Sequence, residues 1–241
     1  NLKNLLQNQE VWYIITNYIW GSANFRKERR VAKCDILNRH RYKAMNRTWI
    51  ELDREALAHN IRQYRNHLPA GCELMGVVKA NAYGHGAVPF ARELAKLGVR
   101  RFAVAALEEA AELREGGIEG EILILGYTHP DGFPQLLEHD ICQTATCPAH
   151  AAQLEAFARE QGRPVKVHIA VDSGMHRIGF LPEELDEIEH CCRSEWLDVT
   201  GIFSHLCVAD VEAEDGFTRQ QIAVFADIVD KLQARGVCPG E

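Results

Sequence analysis

The chain has 241 residues, of which 46% are hydrophobic and 25% charged, and its formal net charge is −7. This apolar content can fill one sizeable core or two small ones, which excludes a disulfide-stapled miniprotein and a disordered chain. Residues 1–47 carry ten Lys/Arg against three Asp/Glu, which leaves 17 basic and 31 acidic residues for the remainder. This remainder of the chain is strongly acidic and has no basic stripe, which argues against nucleic-acid binding.

The eight cysteines include no C-x-x-C pair, so neither a zinc ribbon nor a thioredoxin-like site is indicated. Most of them lie in apolar runs, which is typical of reduced, buried thiols in a cytoplasmic protein. No secretory signal is visible. The apolar run from Val11 to Trp20 is about half as long as the ~20 residues that a membrane-spanning helix needs. We therefore expect a cytoplasmic protein.

Residues 1–44 are a basic arm or linker without a clear helical or strand period, and their role is unassigned. Three explanations are open. The arm is extra sequence before a natural start near Met45, a linker from a membrane domain outside this chain, or a solvated basic segment. We expect a chain beginning at Met45 to keep the chemistry of the body.

From Trp49 onward, helical and strand patterns alternate along the chain. Strands are predicted at Leu74–Lys79, Phe102–Ala105, Ile122–Leu125, Ile141–Thr144, Val165–Val171 and Val199–His205. Helices are predicted at Arg54–Leu68, Val88–Leu97, Leu107–Glu115, Gly132–Glu138, Pro148–Glu160, Pro182–Arg193 and Phe217–Ala234. Because the strands are continuously apolar, the pattern predicts an α/β fold with a parallel sheet covered by helices.

The six β/α units fit two architectures. A (β/α)8 TIM-type barrel has eight units and about 250 residues, so about six of its units are present here. An open doubly wound sheet needs no further unit. We expect the incomplete barrel and keep the open sheet as the alternative.

The sharpest chemical feature is the stretch LMGVVKANAYGHG, residues 74–86. An apolar strand brings Lys79 to its carboxyl end, where parallel α/β folds place their chemistry. A lysine there is costly to bury unless it is neutral, paired or covalently linked. Two glycines permit close backbone approach, and Tyr83 and His85 add polar groups beside the amine. A lysine that merely extends into solvent is the alternative.

The sequence VVKANAYGHG resembles the pyridoxal-phosphate motif of the alanine racemases. Three more stretches resemble the same family: RTWIELDREALAHNIRQYR at 47–65, VDSGMHRIG at 171–179 and GIFSHLCVAD at 201–210. Together with ILILGYTHP, the last stretch is most similar to the racemase domain of membrane-tethered serine/alanine racemases of the vancomycin-resistance type. The resemblance covers roughly residues 46–241.

The resemblance implies the site residues and the reaction. In the family, the lysine here numbered Lys79 forms the Schiff base with pyridoxal 5'-phosphate and serves as a catalytic base. Tyr83 would hydrogen-bond the cofactor phosphate, and His205 would pack against the cofactor ring. Arg177 would hydrogen-bond the cofactor's phenolic oxygen and lie near the substrate, a role that suits a side chain that stays protonated. The implied isomerase interconverts L- and D-alanine, with serine close behind, and supplies D-amino acids for peptidoglycan.

The segment before Arg177 is expected to be structural, with one departure from the family. Asp172 and Ser173 should shape the turn through short side-chain to backbone bonds. Many alanine racemases have a lysine seven residues before the arginine, modified to a carbamate that positions it, and this chain has Ala170 there. Arg177 must therefore be oriented differently, by a bound anion or by another side chain.

The family's other functional residues follow the point where this chain stops. They include the rest of the phosphate cup and a carboxy-terminal β-domain whose tyrosine reaches into the partner subunit's site. We therefore expect residues 45–241 to be an incomplete cofactor-binding barrel domain and this chain alone to be an inactive fragment. The full-length protein is expected to be a homodimer.

Two rival functions are open. A non-catalytic pyridoxal-phosphate carrier barrel has about this length, but its lysine strand does not continue as ANAYGHG. A metal-dependent hydrolase is suggested by His168, Asp172, His176 and His205, but no pair of them has a recognised ligand spacing. We expect no metal site.

Overall fold

The structure is a computed structural model that describes residues 13–15 and 51–238. The described residues form two compact units, divided along the chain between Phe102 and Ala103. Within the described residues, no helix has the length and apolarity needed to cross a membrane. Apart from residues 13–15, the basic arm and the predictions made for it lie outside the described residues.

The first unit contains two parallel strands, β1 (Tyr13–Ile15) and β2 (Leu74–Val77). The sequence pattern did not predict β1, because three residues are too few to show a period of two. A chain beginning at Met45 would lack this strand, and its expected behaviour stays a prediction.

The described part of the first unit also contains two right-handed helices. Helix α1 (Arg54–His67) begins at Asp53, whose carboxylate accepts hydrogen bonds from two amides of the first turn. Helix α2 (Ala87–Lys96) packs closely on β2, since a Cβ added at Gly76 would lie 3.0 Å from Leu94 Cδ1.

The second unit continues the alternation of strands and helices. Strand β3 (Arg101–Val104) crosses the boundary between the units. The strands that follow are β4 (Glu121–Ile124), β5 (Cys142–Ala145), β6 (Val165–Val171) and β7 (Leu197–Ser204). The helices are α3 (Leu107–Glu115), α4 (Phe133–Glu138), α5 (Pro148–Gln161), α6 (Leu185–Arg193) and α7 (Asp215–Ala234). Short 3₁₀ turns precede α4, α6 and α7.

Strands β4 to β7 pair in chain order, and every pair is parallel. A doubly wound sheet reverses its strand order at a switch point, and no reversal occurs among these four strands. Ile122, Leu123 and Ile124 are each fully buried, although successive residues of a strand point to opposite faces. The sheet of this unit is therefore covered on both faces, as the continuous apolar runs predicted.

The predicted elements are confirmed, with ends that differ by one or two residues except at α6, where a 3₁₀ turn precedes the helix. The difference that matters lies at β2. The strand was expected to run to Lys79, but it ends at Val77. The lysine instead belongs to the turn that follows.

Seven of the eight cysteines lie in the described residues, and none of these seven is placed in a disulfide bond. Burial raises the pKa of both Cys191 and Cys192 to about 12, so these two side chains stay protonated and unreactive. Cys238 differs from the others because it is exposed. Among the described cysteines only Cys142 and Cys191 are buried, so the prediction of buried thiols holds for these two and is wrong for the exposed Cys238.

Candidate active site

Lys79 begins a left-handed helical turn, Lys79–Tyr83, directly after β2. The four residues after the lysine have φ angles of 52°, 54°, 50° and 53°, and none of them is glycine. For an L-residue the left-handed conformation costs roughly 1–2 kcal/mol, so the surrounding structure must hold the turn in place. Sequence reasoning missed this turn because glycine is the usual signal of a positive φ.

Asn81 connects this turn to α2. Its Oδ1 accepts a 2.7 Å hydrogen bond from the amide of Ala87, the first residue of α2. The Asn81 carbonyl accepts a second hydrogen bond, 2.9 Å long, from the amide of Gly86. Asparagine also tolerates a positive φ better than most residues do. The Asn81 side chain thus accepts a hydrogen bond from the first amide of α2, and the same residue suits a backbone with a positive φ.

We expect Asn81→Ala to lower the free energy of unfolding by about 1–2 kcal/mol, because it removes this cap and the left-handed preference. Urea unfolding of the full-length protein, followed by circular dichroism, measures the change. Asn60→Ala, a substitution within α1, is the matched control and should leave stability unchanged or slightly raised, since alanine is the better helix former. Equal effects of the two substitutions would contradict the role assigned to Asn81.

His85 is bound to the backbone of the same turn. Its Nδ1 lies 2.7 Å from the carbonyl oxygen of Ala82, and its ring centroid lies 5.5 Å from that of Phe90. Lys79 is half-buried and Tyr83 is 42% exposed. These contacts give His85 a structural role, and its place beside the amine stays a prediction. Lys79 and Tyr83 keep partly exposed side chains.

Arg177 lies in the loop that follows β6, and Asp172 shapes this loop. The Asp172 Oδ1 accepts hydrogen bonds from the amides of Gly174, at 2.9 Å, and His176, at 3.0 Å. The predicted side-chain to backbone bonding of Asp172 is thus confirmed. Because His176 directly precedes Arg177 and has a φ of 56°, the carboxylate fixes the backbone on which the arginine is mounted.

The loop also closes on its carboxyl side. The amide of Gly179 donates to the carbonyl of Thr146 over 2.8 Å, and the amide of Phe180 donates to the carbonyl of Ala170 over 2.8 Å. The backbone around Arg177 is therefore held from both ends. The guanidinium itself is exposed and makes no ion pair or hydrogen bond with the described residues.

A buried glutamine links the Arg177 loop to His205, which directly follows β7. Gln221 of α7 is fully buried, and its Nε2 donates to Ser173 Oγ at 3.3 Å and to the His205 carbonyl at 3.0 Å. The Ser173 hydroxyl lies 2.6 Å from Ser204 Oγ. The prediction for Ser173 is wrong in its partner, because the hydroxyl bonds to side chains and not to the backbone.

Sequence reasoning missed Gln221, although a signal was available. Gln221 precedes Ile228 by seven residues and Leu232 by eleven, and all three are buried. These spacings place the glutamine on the apolar face of α7. A polar residue on such a face requires hydrogen-bond partners inside the protein, and here they belong to the Arg177 loop and to His205.

His150 lies in the first turn of α5, after the carboxyl end of β5. The amide and the hydroxyl of Thr146 lie 3.4 Å and 3.1 Å from its Nδ1, which accepts from the amide and is therefore unprotonated. The ring of Tyr127 packs on it with 4.6 Å between centroids. Burial lowers the pKa of His150 from 6.5 to about 4. The folded protein thus holds a neutral imidazole well below neutral pH.

This pKa predicts a loss of stability in acid. Between pH 6.5 and pH 4 the unfolded chain binds a proton at His150 and the folded chain does not, so the free energy of unfolding decreases as the pH is lowered through this window. The slope contributed by this residue is at most about 1.4 kcal/mol per pH unit. Urea unfolding at several pH values measures it. His150→Gln should flatten the slope in this window and His139→Gln should not; an unchanged slope in His150→Gln would refute the assignment.

In both units the predicted site residues follow the carboxyl end of a parallel strand, the edge at which α/β folds build their sites. In the second unit, hydrogen bonds of Gln221 join the loop that carries Arg177 to the backbone of His205. In the first unit, Lys79 and Tyr83 lie on one turn. Residues 52–241 match the family model described as "Alanine racemase, N-terminal domain". The chain belongs to this family.

Individual relatives agree with the family match. An alanine racemase from Desulforamulus reducens is 42% identical over 191 residues, which cover 78% of this chain and 51% of the relative. The solved alanine racemase of Clostridium difficile is 37% identical with a TM-score of 0.72, over 76% of this chain and 51% of that one. A histidine racemase from Leuconostoc mesenteroides is 28% identical with a TM-score of 0.65, over 71% and 46% of the two chains.

The chain spans about half the length of the relatives it matches. The amino-terminal domain of this family is a TIM-type barrel, so the prediction of a (β/α)8 barrel with about six units present is confirmed. The open doubly wound sheet is wrong.

Proposed function

We propose that the full-length protein is a pyridoxal-phosphate-dependent racemase that interconverts L- and D-alanine, with Lys79 as the cofactor-bearing residue. The observation that carries the proposal is the strained turn after β2, in which a half-buried lysine is followed by four left-handed residues. Strain of this kind persists where the fold over-determines it, often at functional sites. Relatives named alanine racemase, at 38–42% identity, support the same reaction.

The side chains of the described residues fit pyridoxal phosphate. Its aldehyde requires a primary amine for attachment, and Lys79 supplies one. Its phosphate and phenolic oxygen require hydrogen-bond donors, among which cationic donors are the strongest. Tyr83 offers an accessible hydroxyl, and Arg177 offers a guanidinium that no carboxylate of residues 51–238 neutralises. The donor set therefore matches the acceptors of the cofactor.

When bound, pyridoxal phosphate supplies the electron sink that lets the α-proton of an amino acid leave at neutral pH. The residues of this chain would bind and orient the cofactor, and one of them would move the proton. Lys79 would hold the cofactor through its primary amine, and its Nζ would accept the α-proton of the substrate from one face. The Arg177 guanidinium would donate to an anionic oxygen of the cofactor. Tyr83 would donate to the phosphate, and His205, whose carbonyl accepts a hydrogen bond from Gln221, would pack against the ring.

Inversion also needs a proton donor on the opposite face of the substrate. A base that takes and returns the proton on one face alone gives exchange without inversion. The resemblance assigns the second donor to a tyrosine that reaches in from the partner subunit, so we include a homodimer in the proposal. Alanine racemisation by the full-length protein requires both subunits.

Alanine is the proposed substrate, with serine second and the supply of D-alanine for peptidoglycan as the role. One solved relative is the Clostridium difficile alanine racemase in complex with cycloserine, and another is the Bacillus anthracis enzyme with bound L-Ala-P. Both complexes support a small amino acid as the substrate proposed here. The likeness to a histidine racemase makes L-histidine the informative comparison substrate.

The test measures inversion and α-proton exchange together. The full-length protein with pyridoxal phosphate is incubated in D2O with L-alanine, L-serine or L-histidine, and products are analysed by chiral chromatography and NMR. We expect D-alanine at about 1 per second or faster, slower turnover of serine and none of histidine. A pyridoxal-phosphate carrier would bind the cofactor and incorporate no α-deuterium, and that result would overturn the proposal.

A further inference from the structure

A second group of chemically active side chains lies toward the amino-terminal ends of the strands in the second unit. Glu121 is the first residue of β4, Cys142 is the first residue of β5, and His168 lies within β6. One ligand atom from each residue lies within 4.8 Å of the other two. Cys142 and His168 are buried, and Glu121 is half-buried. Three different ligand types therefore converge on one small volume.

The His168 ring is held against the backbone of β7. Gly201 pairs with His168 across the two strands, and a Cβ added at this glycine would lie 2.7 Å from the Cε1 of the ring. Only a residue without a side chain leaves room for this placement. The close approach aims Nε2 at Glu121, whose Oε1 lies 3.0 Å away.

The contact between these two atoms is not an ordinary hydrogen bond. His168 is only 3% exposed, and its Nε2 makes no hydrogen bond with any described residue, despite the short distance to the carboxylate. An unsatisfied buried nitrogen of this kind costs about 1–3 kcal/mol. In a tetrahedral zinc site, nitrogen and oxygen ligands at about 2.0–2.1 Å from the ion lie roughly 3.3–3.4 Å from each other. The observed separation of 3.0 Å between His168 Nε2 and Glu121 Oε1 is close to this ligand-to-ligand distance.

We propose that Glu121, Cys142 and His168 form a zinc-binding site that joins strands β4, β5 and β6. Carboxylate oxygen, thiolate sulfur and imidazole nitrogen are the three ligand types that zinc accepts, whereas magnesium and calcium select oxygen alone. A water molecule completes the four-coordinate shell. Residues at the amino-terminal ends of barrel strands serve stability, so the ion acts as a structural tie between neighbouring strands.

Zinc binding at this site is opposed by the free-energy cost of deprotonating Cys142. Burial raises the pKa of the Cys142 thiol well above its ordinary value, so the ion must displace a proton from sulfur. Thr200 Oγ1 lies 3.7 Å from the Cys142 Sγ and is placed to hydrogen-bond the sulfur. The neighbouring Glu121 carboxylate offsets part of the cost, since its negative charge attracts the cation.

This proposal differs from the expectation of no metal site. The metal-dependent hydrolase considered from the sequence shared only His168 with it, and Asp172 instead bonds to the amides of its own loop. The three proposed ligands are 21 and 26 residues apart along the chain, and neither spacing is a known metal motif. Only the strand register brings them together.

The experiment uses the full-length protein stripped of metal with a chelator and then titrated with zinc sulfate or cobalt chloride. We expect one zinc ion per chain, a higher Tm with zinc, and a near-ultraviolet thiolate-to-cobalt absorption band. Cys142→Ser should remove that band, and both Cys142→Ser and His168→Gln should weaken zinc binding by at least about tenfold. Cys72→Ser and His139→Gln are the matched controls and should bind as the wild type does.

Absence of zinc binding by the wild-type protein would overturn the proposal, as would a cobalt spectrum without a thiolate band. Undiminished zinc binding by Cys142→Ser would do the same. The cobalt spectrum needs no substitution, so the test stays decisive even where His168→Gln fails to fold. Neither readout depends on racemase activity, so the outcome is separate from that of the proposed function.

Discussion

The Lys79→Ala substitution should abolish the absorbance band of the bound cofactor and lower the racemisation rate by at least about 10³-fold. Both effects are expected because the Lys79 amine is needed for two roles, the attachment of the cofactor and the acceptance of the α-proton. Lys79→Arg should be as inactive, because a guanidinium keeps the charge but cannot replace the primary amine. Spectra of the purified full-length protein and a chiral assay measure both effects.

The control for Lys79 must separate chemistry from folding. Lys96 lies at the end of α2 and pairs with Glu93 over 2.7 Å at an exposed position. Lys96→Ala should keep the absorbance band and the activity, since exposed ion pairs contribute about 0–1 kcal/mol. Thermal unfolding should show that the Lys79 variants remain folded. A Lys79→Ala protein that still holds covalently attached cofactor would refute the assignment.

Gly179→Ala should destabilise the second unit by more than about 3 kcal/mol. Where the free energy of unfolding of the wild type is not much larger than this, the variant should fail to fold at growth temperature. Gly179 has a φ of 121°, and an added Cβ would lie 2.5 Å from the backbone nitrogen of Asp172 and 2.8 Å from the carbonyl carbon of Val171. Backbone atoms cannot rotate away as the end of a side chain can. The substitution must therefore break the bridge between Val171 and Phe180 that closes the loop.

A second glycine in the same unit provides the comparison. Gly216 lies in the first turn of α7, and a Cβ added there would meet no atom within 4 Å. Gly216→Ala should leave stability unchanged or raise it by up to about 1 kcal/mol, because alanine favours a helix. Chemical unfolding of both variants measures the difference. Similar stabilities would show that the loop around Arg177 tolerates displacement, contrary to the structure.

The sequence determined the positions and kinds of nearly all elements. A helix and a strand differ in period, 3.6 against 2, so apolar spacing within about ten residues is sufficient to separate them. The same local reading located Lys79 and Tyr83 in one motif and Arg177 and His205 in two others. It placed the end of β2 two residues too late, because no local pattern distinguishes a left-handed turn of Ala80, Asn81 and Ala82 from a continued strand.

The tertiary structure decided the contacts between distant residues. Ser173 and Gln221 are 48 residues apart and share a buried hydrogen bond, and Glu121 meets His168 only because β4, β5 and β6 pair in one register. Local periodicity carries no information about register, which depends on how the covered faces pack against each other. The sequence by itself therefore determined which residues are available for chemistry. Packing decided which of them are held, buried or brought together.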